Sequence, residues 1–149
     1  METVLHVYSP DEKAVLFFRH VKKELGILST QDLVKLVDKV LSHLRSGLSN
    51  AQIKKLIDQL PGVFQLMLIR GWRINEEKKS FKHLDEFVEL IYTEDRNSAH
   101  SLFATEVETL NAVIVVLRKL DKYLNLFSFN ILKYPMVEEL KQVPLEGAV

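Results

Sequence analysis

The sequence predicts an all-α protein: a compact helical bundle of about 6–8 helices, built from two similar helical half-domains. Three observations point there. Apolar residues recur at three- and four-residue spacing along most of the chain, the period of helices that bury one face. Glycine and proline number only 5 and 4 in 149 residues, too few for the frequent turns of an all-β fold. A pattern in the first half also returns, weaker, in the second.

Composition bounds the rest. With 47% hydrophobic and 27% charged residues, the chain is that of one ordinary globular domain able to bury a core. Basic and acidic side chains balance at 20 each, which argues against nucleic acid or an acidic membrane as a partner recognised mainly by charge. The absence of cysteine removes disulfides, thiol catalysis and thiolate metal sites, and fits a reducing cytoplasm, the expected location. The opening METVLHVYSPDEK has neither a basic start nor a long apolar run. The longest aliphatic stretch, Ala112 to Leu117, is far short of a membrane span, so no membrane association is expected.

Residues 1–9 read as an arm, because a lone weakly alternating stretch has no strand to pair with. The first half is expected over residues 10–72. Ser9, Pro10 and Glu12 form a capped helix start, and Ala14, Phe17, Phe18, Val21 and Leu25 give the apolar stripe that Gly26 ends. A second helix starts at Ser29 or Thr30 with Asp32. Its stripe is Leu33, Leu36, Val37, Val40, Leu41 and Leu44, with Lys35, Asp38, Lys39, His43 and Arg45 on the other face and Gly47 as the stop. Ser49 and Gln52 open a third helix that buries Ile53, Leu56, Ile57 and Leu60. Pro61 forces a break. The next segment, Val63 to Ile69, is apolar nearly all round and is expected at the centre of the core, with Leu60 and Leu66 buried. Gly71 and Trp72 close this half.

A polar, basic connection covers residues 73–84, and a second half covers 85–142. A helix from about Asp85 to Thr93 buries Phe87, Leu90 and Ile91, and a polar connection follows to Ser101. Thr105 and Glu108 form a capping box for the longest helix. Its stripe is Val107, Leu110, Val113, Ile114, Leu117, Leu120 and Leu124. A last short helix is expected around Ser128 to Lys141, with Pro135 inside it, and residues 143–149 as a frayed tail.

The repeat links the halves. Leu41, Leu44 and Leu48 lead to Pro61-Gly62-Val63-Phe64-Gln65-Leu66; Leu117, Leu120 and Leu124 lead to Pro135-Met136-Val137-Glu138-Glu139-Leu140. The leucine spacing is the same, and both copies share Pro-x-Val-x-x-Leu.

At these residues the chain resembles a known bacterial family, domain of unknown function 2267. The resemblance rests on Leu25-Gly26-Ile27, Val40-Leu41-Ser42-His43-Leu44, Leu56-Ile57-Asp58-Gln59-Leu60-Pro61, Gly71-Trp72, Asp85-Glu86-Phe87 and the Val-Leu-x-x-Leu of Val116 to Leu120. It spans about Pro10 to Gln142. Tyr134-Pro135 departs from it, standing where the family pattern reads Leu-Pro. The resemblance implies an all-α fold and brings no catalytic or binding residues with it.

No reactive constellation stands out. His6, His20, His43, His83 and His100 are scattered without the spacing of a helical metal site, so no metal and no cofactor is expected. His20 and Glu24 share a helix face and read as a surface pair. There is no nucleophile elbow and no glycine-rich phosphate loop. The paired carboxylates Glu76/Glu77, Asp85/Glu86, Glu94/Asp95 and Glu138/Glu139 read as solvated.

Two stretches carry content. In Arg70 to Lys82, five cations stand against two acids, a local excess of +3, with Trp72 and Phe81 between them. Near the end, Tyr123, Phe127, Phe129 and Tyr134 crowd a short helix. Arg70, Trp72, Arg73, Phe81, Tyr123, Phe127 and Phe129 are the candidate partner-contact residues. The expected function is a non-enzymatic protein-interaction or self-association module, with a homodimer or another protein as partner. A nucleic-acid-binding regulator with a helix-turn-helix-like unit, and a ligand or enzymatic pocket between the halves, are the alternatives.

Overall fold

Side-chain caps decide where the helices begin. In a computed structural model that describes residues 9–26, 28–73, 78–79, 81–129, 132 and 134–142, Ser9 Oγ accepts from Glu12 N while Glu12 returns a bond from its carboxylate to Ser9 N. Ser49 and Gln52 do the same. Ser29, not Thr30, caps the second helix by accepting from Asp32 N. Thr105 accepts from Glu108 N, but the Glu108 carboxylate reaches Ala104 N, one residue before the expected partner of a reciprocal box. The expected arm (1–9) and tail (143–149) lie outside the described residues, apart from Ser9.

The helices are α1 (Pro10–Glu24), α2 (Thr30–Ser46), α3 (Asn50–Gln59), α4 (Gly62–Ile69), α5 (Leu84–Arg96), α6 (Glu106–Leu124) and α7 (Met136–Gln142), with a 3₁₀ turn at Leu126–Phe129. The described residues thus form an all-α bundle, and its buried apolar side chains join into one cluster. None of these helices is long and apolar enough to cross a membrane.

The centre is α6. It packs against α1, α2 and α5, and every residue from Ala112 to Leu117 is buried. That run exceeds a one-sided stripe because the helix has neighbours on most sides. At its solvent end the pattern fails in the opposite direction: Val107, expected in the stripe, is 67% exposed. Asn125 ends the helix with φ 55, a left-handed geometry that asparagine accepts.

The expectation that Val63 to Ile69 forms the centre of the core is corrected. Helix α4 lies at the edge of the bundle, on α1, α2 and α3. Phe64, Met67 and Leu68 face inward, whereas Val63, Leu66 and Ile69 are 39%, 64% and 47% exposed. An eight-residue helix supported from one side cannot bury its whole circumference. Leu60 is buried as expected, and Leu66 is not. Leu60→Ala is therefore expected to cost about 2–5 kcal/mol, and Leu66→Ala under about 0.5 kcal/mol. Urea unfolding giving equal losses for the two would refute this placement.

Helix α5 runs past the expected Thr93 to Arg96. The last helix also differs from expectation. The chain makes the 3₁₀ turn, and α7 starts only after Pro135, so the proline precedes the helix instead of sitting inside it. Two glycines answer specific needs. Gly71 has φ +74, which ends the α4 segment where a side chain would strain the backbone. A Cβ at Gly47 would lie 3.1 Å from the Lys79 carbonyl oxygen, at the point where Lys79 N donates to Ser46 O at 2.8 Å.

Candidate functional site

The outward face of α4 is built by sequence spacing. Val63, Leu66 and Ile69 follow one another at three-residue steps, so they share one side of the helix, and Arg70 falls seven residues after Val63 in the same direction. The helix is held from behind. Phe64 stacks on Phe18 (ring centroids 5.7 Å) and meets Phe17 edge-on (5.3 Å). Gln65 donates to Ile57 O at 2.7 Å. Arg45, buried on α2, donates to Leu68 O at 2.7 Å and to Arg70 O at 3.1 Å, satisfying carbonyls at the C-terminal end of α4. Arg45 was expected on the polar face of α2; its long side chain instead turns inward to cap a neighbouring helix.

Of the expected contact residues, Arg70 and Arg73 are exposed. Trp72 and Phe81 are half-buried and pack on the core. Trp72 Nε1 and Asp38 Oδ1 are buried without a hydrogen-bond partner among the described residues. Burial pushes the Asp38 carboxyl up, opposed by the charges of Arg70 and Arg45. Phe81 meets Phe87 edge-on at 5.1 Å and borders His43, whose Nε2 lies 2.6 Å from Glu94 Oε2. His43 was also expected in solvent. It sits between aromatic rings, and burial lowers its pKa despite the glutamate beside it. Residues 74–77 and 80 of the basic connection lie outside the described residues.

The C-terminal aromatics separate. Tyr123 hydrogen-bonds His20 on α1, and Phe127 packs on the core while its N–H donates to Asp121 Oδ1 at 2.9 Å. Tyr134 is 77% exposed. The side chain of Phe129 lies outside the described residues. His20 and Glu24, read as a surface pair, each reach across to α6 instead: Glu24 pairs with Lys119 at 3.0 Å.

Two carboxylates expected in solvent have structural work. Asp95 is 1% exposed, and its oxygens accept from Leu102 N (2.7 Å) and Phe103 N (3.0 Å), closing the α5–α6 connection. Glu139 accepts from Leu84 N at 2.9 Å, tying α7 to the start of α5, and lies 3.1 Å from His83 Nδ1. The Leu84 amide and then His83 hold Glu139 below its ordinary 4.5, and the bond to Glu139 raises His83 above 6.5. The Glu139 contribution to stability is present above pH 4.5 and fades as pH falls through its lowered value. The His83 contribution is present below pH 6.5 and fades as pH rises through its raised value. The pair therefore favours folding most between those values. His83→Gln should lower the melting temperature more at about pH 5.5 than at about pH 8.5; an equal loss at both would rule the linkage out.

A cavity of about 110 Å³ opens between the end of α1 and the start of α6, lined by Leu25, Leu28, Phe103, Val107, Glu108, Asn111 and Ala112. Among the described residues, no three His, Asp or Glu side chains come together as a metal centre would need.

Comparison with curated proteins gives no match. The sequence pattern of one family, described as "Uncharacterized conserved protein (DUF2267)", matches residues 16–125. That stretch holds α2 to α6 entire, all of α1 but its first six residues, and the exposed face of α4. The chain is a member of the DUF2267 family.

Proposed function

We propose that this protein works through protein contacts and not by catalysis, as a small helical module that self-associates through the outer face of α4. One observation carries the reading. A surface helix leaves Val63, Leu66 and Ile69 in solvent, and large exposed aliphatics in one row are what partners cover. The row is symmetric about Leu66, with a residue three positions away on either side. An antiparallel two-fold contact would set Leu66 against its own copy and Val63 against Ile69, the self-complementary arrangement that an isologous dimer needs. Arg70 and Arg73 at one end of α4 would approach the partner's polar end, where Asp58 and Gln59 stand exposed. Trp72, Phe81, Tyr123 and Phe127 are half-buried against the core and so lend the contact less exposed surface than the α4 row does.

A patch this short predicts a weak, concentration-dependent dimer. Sedimentation should show dimerisation that Leu66→Glu abolishes, with circular dichroism and melting temperature retained. A wild-type protein that stays monomeric at its highest soluble concentration would defeat the proposal. The two-half plan, with its boundaries at residues 10–72 and 85–142, belongs to the same reading. Its support is local: both Pro-x-Val-x-x-Leu copies lead into a short helix, α4 and α7. The copies differ in what they bury, since Leu66 is exposed and Leu140 is not. A cytoplasmic setting is proposed from the cysteine-free composition.

A further inference from the structure

Positive charge gathers away from α4, where α1 and α6 run side by side. The two helices are antiparallel: His20 meets Tyr123, and four residues later Glu24 meets Lys119. Arg19 and Lys23 stand one helical turn apart on α1, both exposed. On α6, Lys119 Nζ lies 3.0 Å from Glu24 Oε1, and Lys122 Nζ sits 5.4 Å from the Tyr123 ring centroid. The His20 and Tyr123 rings, 5.4 Å apart, occupy the middle. The whole chain has no net charge, so this concentration is local.

We infer that this face binds a compact phosphate-bearing anion, held by Arg19, Lys23, Lys119 and Lys122 around His20 and Tyr123. Desolvation, and then the charges of Lys119, Lys122, Arg19 and Lys23, keep the His20 ring less readily protonated than usual. The cluster is therefore under mutual repulsion that Glu24 relieves at one corner. A carboxylate ligand would offer no more than Glu24 already gives. A phosphate brings more charge and more acceptor oxygens, and can draw on several cations at once. Nucleic acid fits less well: Glu24 interrupts the patch, and Tyr123 is engaged by His20 and Lys122 and so is not open for base stacking.

The test is NMR titration of the full chain with sodium pyrophosphate at constant ionic strength. Saturable shifts are expected within residues 19–23 and 119–123, with the His20 ring titrating at higher pH once the anion is bound. The variant Lys23→Glu/Lys122→Glu changes two exposed positions and should keep its circular dichroism while weakening binding at least about ten-fold. Vesicles containing phosphatidic acid form a second arm. Binding to both probes assigns a lipid headgroup as the source, and binding to pyrophosphate alone assigns a free phosphate. Shifts matched by sodium chloride, shifts on another face, unchanged affinity in the variant, or vesicle binding without a pyrophosphate response would each overturn the inference.

Discussion

Asp95→Ala should cost about 3–5 kcal/mol of folding stability, one of the two largest single losses expected in this protein. The carboxylate is 1% exposed and accepts from the N–H groups of Leu102 and Phe103. Alanine would leave both amides without an acceptor, each at about 1–3 kcal/mol. The Asp95 carbonyl also accepts from Ser98 Oγ and Ser101 Oγ, so the connection keeps part of its shape in the variant. Asp95→Asn retains one good acceptor oxygen and should recover about half the loss. Urea denaturation of the three proteins decides the matter. A loss under about 1 kcal/mol for the alanine variant would show that the loop is held by something else.

Phe64→Ala is the second, with an expected loss of about 3–5 kcal/mol. Phe64 is fully buried, in contact with Phe17 and Phe18 of α1, and it is the largest of the buried side chains of α4. Removing it takes away both the buried area and the edge-on and stacked ring contacts. Its neighbour Leu66, two positions along, should tolerate the same change almost freely. Contrasting results from positions two residues apart would confirm which way α4 faces; similar losses would mean the helix is rotated.

Helix starts were legible in the sequence because a cap is local: Ser9, Ser29, Ser49 and Thr105 meet their partners within three residues. Burial was less legible because it depends on neighbours. An apolar segment such as Val63 to Ile69 looks alike in the middle of a bundle and at its edge. For the buried polar residues a signal did exist. Asp95 stands four residues after Ile91, in line with Leu84, Phe87 and Val88, and Arg45 stands four after Leu41. Each is a charged residue at the position where the apolar stripe would continue, which marks a group that must find partners inside. Of the candidate contact residues, Arg70 and Arg73 lie in solvent, whereas Trp72, Phe81, Tyr123 and Phe127 each have a core contact that no local pattern announces.

The enclosure of α6 sets a hierarchy of motion. A helix buried from Ala112 to Leu117 can release those amides to solvent only when the whole bundle comes apart, so their hydrogen exchange should report the global unfolding free energy. Short peripheral helices such as α4 and α7 can detach while α6 stays shut, and their amides should exchange sooner. The protein would then carry its permanence in one helix and its adaptability at the rim, where new contacts can be made or lost without renegotiating the fold.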